Sequence, residues 1–89
     1  MPPQRNPHLL THQLQDELIL YNPRQDVAHT LNATALLVWQ CCDGKHEVED
    51  IISKVRTRYN IPSEAARQDI QNLLNKFQAL GLIQPLSQP

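Results

Sequence analysis

The spacing of apolar positions changes period along the chain, and each change marks an element. Leu18, Ile19, Leu20 and Tyr21 form a continuous apolar run bounded by Gln15-Asp16 before it and Asn22-Pro23-Arg24-Gln25 after it. A run this short, with a β-branched and an aromatic residue, predicts a buried or two-sided strand. Asn followed by Pro suits the first two positions of a type I turn, which returns the chain into another strand over residues 26–31. A weaker strand over residues 8–14 precedes both, with Leu9, Leu10 and Leu14 as its apolar positions. The first third therefore reads as a three-stranded antiparallel meander.

After Leu31 the period becomes helical. Asn32 is an N-cap, its side-chain oxygen placed to accept from a free N–H of the first turn. Ala35, Val38, Trp39 and Cys42 then fall at i, i+3, i+4, i+7, with the only Trp in mid-stripe. Gly44 supplies a left-handed stop. Val48, Ile51, Ile52, Val55 and Tyr59 predict a second helix from about Glu47 to Tyr59, in which Asp50 and Lys54 add an i,i+4 pair. Asn60, Ile61 and Pro62 break it. Ser63 reads as the cap of a third helix that runs to about Leu80 and stops at Gly81, with Ala66, Ile70, Leu73, Leu74, Phe77 and Leu80 on its buried face. Leu82 and Ile83 add a last short strand or staple the helix end. The fold class predicted is α+β: a three-stranded antiparallel meander followed by three helices, of winged helix-turn-helix type.

Proline-rich ends without apolar period mark residues 1–7 and 84–89 as frayed extensions around a domain over residues 8–83. At 89 residues one core is feasible, burying roughly 60–65% of the unfolded surface, with little room for a deep catalytic cleft. The net charge of −1 is spread over interspersed acids and bases, so no basic stripe points to nucleic acid. The chain lacks both a long apolar run and a signal-peptide pattern, which argues against a membrane and for the cytoplasm. Two adjacent cysteines, Cys41 and Cys42, cannot build a disulfide framework and read as small buried hydrophobes, Cys42 in the core and Cys41 at its margin.

Little in the residues points to catalysis. The four His and two Cys show no metal-ligand spacing, and His8 and His12 fall in a segment read as strand. No base stands at a recognisable distance from either Cys. Glu47, Glu49 and Asp50 favour the dipole at the start of the second helix. His29 alternates with Val27 and Leu31 and reads as packed and hydrogen-bonded. The expectation is a chain that is not an enzyme and carries no metal or cofactor.

The ordered set His29, Thr30, Leu31, Asn32, Ala33, Thr34 and Ala35, with Val38, Trp39, Cys42, Asp43 and Gly44, resembles the PqqD family. Its members show an extended Tyr or His, Leu-Asn, a small residue, a hydrophobic-Trp pair and a terminal Asp-Gly. The match continues through Val48, Asp50, Ile51, Tyr59, Asp69, Ile70, Leu73 or Leu74, Leu80, Gly81, Leu82 and Ile83, and so spans residues 18–83. Glu47 departs from the Ser or Thr that many members carry as the second helix cap, which weakens that helix start. The resemblance implies a peptide-binding module, a RiPP recognition element. Such a module holds the leader of a ribosomally made precursor peptide and presents it to a modifying enzyme, such as a radical SAM protein or a lasso-type protease. If strand order follows the chain, the strand Val27, Ala28, His29, Thr30, Leu31 has a free edge that can take the peptide as an added strand. Selectivity is then expected from pockets between this strand and the third helix near Arg67, Ile70, Gln71 and Leu74, with Asp69 at an acidic position of the family. The alternative readings are a winged-helix DNA-binding protein, which the neutral third helix opposes, and a plain protein-interaction domain.

Overall fold

The computed structural model describes residues 2–84. Three strands, β1 (Leu10–Gln13), β2 (Leu18–Asn22) and β3 (Val27–Leu31), are followed by three helices, α1 (Ala33–Gln40), α2 (Val48–Tyr59) and α3 (Ser63–Ala79). The strands form one antiparallel sheet in the order β1-β2-β3. This is the expected meander and three-helix order, for which winged helix-turn-helix is a loose description. No helix among the described residues is long and apolar enough to cross a membrane.

Pairing register sorts the sheet's side chains. Leu18, Leu20 and Asn22 of β2 are buried, and their partners on β3 are Leu31, His29 and Val27, so these six share the face turned to the helices. Ile19 and Tyr21 point the other way, beside Thr30 and Ala28. The β2–β3 turn holds Asp26 at φ 54°, with its N–H donating to Asn22 O (2.8 Å). The Tyr21 hydroxyl donates to Asp26 Oδ1 (2.6 Å), and that bond, with a smaller effect of burial, raises the tyrosine pKa.

β3 passes into α1 through Asn32, whose Oδ1 accepts from the Ala35 N–H (2.9 Å) as expected. Ala35, Val38, Trp39 and Cys42 are all buried, and so is Cys41, which the sequence placed at the core margin. Regular α-geometry ends at Gln40, where the Cys41 amide is shared between the Leu37 (3.2 Å) and Val38 (3.1 Å) carbonyls and the Cys42 amide turns to the Trp39 carbonyl (3.0 Å). In α2 the buried stripe is Ile51, Ile52 and Val55, while Tyr59 lies beyond it and is exposed. Glu47 does cap α2: its N–H donates to Asp50 Oδ2 (3.1 Å), half of a capping box that offsets the missing hydroxyl. Ser63 is the first residue of α3 rather than its cap, a place taken by Pro62.

The N-terminal segment corrects the expectation of a frayed extension. Pro3 is buried, and residues 3–6 cross the end of α1: Gly44 N–H donates to Pro3 O (2.9 Å), Arg5 N–H to Cys42 O (2.7 Å) and Asn6 N–H to Leu82 O (3.1 Å). Single bridges join Gln4 to Asp43 and Arg5 to Ile83. Arg5 Nη1 also donates to Gln40 O (2.8 Å), and its guanidinium lies 5.3 Å from the Trp39 ring centroid. α1 has no basic residue in its own last turn, so this strap brings the cation that its carbonyl end favours. Gly44 sits at φ 78°, where a Cβ would also press on the Gln4 side chain at 3.3 Å. Gln84 N–H donates to Gln4 O (2.8 Å). The rest of the expected C-terminal extension lies outside the described residues.

Two measurements follow from this packing. Trp39 is 8% exposed and its Nε1–H donates to Leu82 O (3.3 Å). Trp39→Ala should cost about 3–5 kcal/mol by denaturant titration, a large share of the roughly 5–10 kcal/mol a small domain holds. Trp39→Phe should cost clearly less, since the Leu82 carbonyl keeps the Asn6 N–H. The second concerns Asp43, whose carboxylate accepts from the His46 ring and from the Lys45 and His46 amides. The His46 bond first, then the amides, hold its pKa well below the usual carboxylate range. A depressed folded-state pKa contributes stability above the unfolded value near 3.9 that is lost as pH falls further. Denaturant midpoints taken from neutral pH down to acid should therefore drop less below pH ~4 for Asp43→Asn than for the parent.

Candidate functional site

β2 occupies one side of β3, and among the described residues no strand pairs with the other. Beside that open edge runs a groove of about 610 Å³ between β3 and α3. Ala28, His29 and Thr30 wall it on the strand side, and Asp69, Asn72, Leu73, Lys76 and Leu80 on the helix side. Its floor is apolar, made by the buried Leu31, Ala35, Phe77 and Leu82. Unpaired strand amides and carbonyls thus stand next to an apolar trench with a polar rim, an arrangement suited to an extended peptide.

The sequence-predicted residues divide between this groove and the core. Ala28, His29, Thr30, Leu31 and Asp69 line it. Val27 lies one residue outside the lining and is 41% exposed. Arg67, Ile70, Gln71 and Leu74 do not line it, which corrects the expected helix face by about one position. Ile70 and Leu74 are buried with Ala66 and Phe77 in the core. Arg67 donates from Nη2 to Glu49 Oε1 (2.9 Å), an exposed link between α3 and α2 that raises the arginine pKa. Gln71 is exposed elsewhere on the helix. His29 is half-buried, and its ring has no hydrogen-bond partner among the described residues, contrary to the packed and bonded histidine expected.

The physical reason is the width of the α3 apolar face. Ala66, Ile70, Leu74 and Phe77 follow one stripe, whereas Asp69, Leu73, Lys76 and Leu80 at i, i+4, i+7, i+11 follow the next, about 100° round the helix. Asn72, Leu73, Lys76, Phe77 and Leu80 are groove residues that sequence reasoning missed as such. Their signal was present: six apolar residues on one helix exceed a single core stripe, and Leu73 and Leu80 are the surplus, half-buried at its margin.

Groups with reactive potential lie away from the groove. Burial pushes the Cys42 thiol up to about 12, and its Sγ donates to Val38 O (3.2 Å). Burial likewise raises Cys41, with Lys54 and Arg5 opposing. Both therefore stay protonated and weakly nucleophilic at neutral pH. Among the described residues no three His, Cys, Asp or Glu side chains converge on a metal-sized site.

A family profile described as coenzyme PQQ synthesis protein D (PqqD) matches residues 17–83. Two solved structures share the fold. One, described as TbiB1 in complex with the TbiA(β) leader peptide, superposes with a TM-score of 0.86 at 14% identity, covering 96% of this chain and 99% of the other. The second, a lasso peptide synthetase B1 complexed with the leader peptide, gives a TM-score of 0.86 at 22% identity, covering 96% and 100%. No curated protein sequence matches the chain at a significant level.

The two stripes of α3 are separable by mutation. Leu74→Ala should destabilise the fold by about 2–5 kcal/mol, as for a core leucine. Leu73→Ala, at a half-buried wall position, should cost about 1 kcal/mol or less. Equal costs in urea titration would mean that Leu73 belongs to the core.

Proposed function

We propose, from the premise that the chain belongs to the PqqD family, that it is a peptide-recognition module acting on the leader of a ribosomally made precursor peptide. The leader adds to β3 as a fourth strand, with Val27 to Leu31 supplying main-chain partners and alternate side chains entering the groove against α3. The observation that carries this reading is the unpaired edge of β3 lying beside an apolar trench. Each main-chain bond contributes about 0.5–1.5 kcal/mol net, so affinity needs little sequence, and the trench supplies selectivity. That both solved neighbours were captured with leader peptides supports the same use of the fold here.

The module's role is to hold and present, and chemistry is left to a partner enzyme of the precursor's pathway, such as a radical SAM protein or a lasso-type protease, in the cytoplasm. Proteins of the PqqD type are binding modules, and the buried, protonated thiols offer no competing catalytic reading. DNA binding is disfavoured because α3 balances Arg67 and Lys76 against Glu64 and Asp69, with Arg67 already paired to Glu49.

Amide hydrogen exchange with the leader of a precursor encoded beside this protein tests the reading. Protection should rise over residues 27–31 on adding peptide, and Leu73→Asp should weaken binding at least tenfold while the fold is retained. Protection confined to α2, or unchanged affinity in Leu73→Asp, would refute strand addition at β3.

A further inference from the structure

The groove is lined by one carboxylate and one ammonium, and they flank Leu73 on one helical stripe. Asp69 and Lys76 are two turns apart on α3, about 10 Å along its axis, with Leu73 between them. Both are exposed, and among the described residues neither has an ion-pair or hydrogen-bond partner. The other α3 base next to an acid, Arg67, is tied to Glu49, which leaves these two as the free charges facing the trench.

We infer that Asp69 and Lys76 set the direction and register of the bound peptide, by selecting a strand with a basic, an apolar and an acidic residue at alternate positions. This rests on the strand-addition reading above. In an extended peptide, side chains on one face recur about every 6.7 Å. Three of them span about 13 Å, within reach of Asp69 at one end and the long stem of Lys76 at the other. The basic residue then faces Asp69, the apolar one lies over Leu73 and Phe77, and the acidic one faces Lys76. Main-chain pairing alone tolerates either strand direction and any register. Reversing the peptide in this groove sets acid against acid and base against base, and a one-residue slip turns all three side chains to the wrong face.

A random-peptide display library, selected separately on the parent protein and on the double variant Asp69→Lys with Lys76→Glu, tests the inference. Both positions are exposed, and circular dichroism checks that the variant folds as the parent does. The parent should enrich one order of charges around a central apolar residue, and the variant the opposite order. A selected peptide should bind the parent about 2- to 30-fold more tightly than its version with Gln at both charged positions, and the difference should shrink as salt rises. Enrichment of an apolar motif blind to charge would overturn this inference and leave strand addition standing, as would a charge order that the variant does not invert. Failure of the parent to enrich any peptide would overturn both.

Discussion

The main-chain groups of Leu82 are bonded to three separate parts of the protein. Its N–H closes the end of α3 on Phe77 O (2.8 Å), while its carbonyl receives the Trp39 indole of α1 (3.3 Å) and the Asn6 amide of the N-terminal strap (3.1 Å). Gly81, at φ 74°, makes the reversal possible, and with its own N–H on Gln78 O it completes a Schellman end. Since the side chain of Leu82 is fully buried, these polar groups could not be left unpaired without a cost of about 1–3 kcal/mol each. The bonds therefore fix where α1 and the strap sit relative to the end of α3. Because α1 follows β3 with only Asn32 between them, they also fix how far β3 stands from α3. The groove floor, which includes Leu82 itself, inherits its shape from that knot.

An open strand edge beside an apolar trench is a hazard for a small protein, since it offers the same pairing to any extended chain. Here the edge is five residues long, and the trench beside it is rimmed by Asp69, Asn72 and Lys76. A short edge with charged neighbours limits non-specific pairing, and the same charges discriminate among peptides. The strap works at the C-terminal end of α1, where Arg5 covers Trp39 and meets the helix's carbonyl end. It lets a core with few aromatic residues hold together without spreading over the groove.

The order of elements was legible along the chain because each is specified locally. Asn32 caps α1 through its own side chain, Gly81 stops α3 through its own φ, and the run from Leu18 to Tyr21 alternates inward and outward once paired. The free edge of β3 was legible too, since three strands joined by short connections pair in chain order. The resemblance of residues 18–83 to the PqqD family pointed to the strand and to Asp69 on the helix.

What the sequence alone determined is thus the set of elements, the Asn32 cap, the Gly81 stop and the strand that carries the open edge, all of which depend on interactions within a few residues. Tertiary structure decided the rest. Helical periodicity identifies an apolar face only as a band, and which side of the α3 band meets the core and which meets the groove depends on where α2 and the end of the chain press against it. Hence Ile70 and Leu74 turned inward, while Leu73 and Lys76 faced β3. The strap is the same case at longer range: a proline-rich segment without period carries no local signal, and Arg5 acquires its role only because folding brings Trp39, Gln40 and Cys42, distant in sequence, within reach of its side chain and amide.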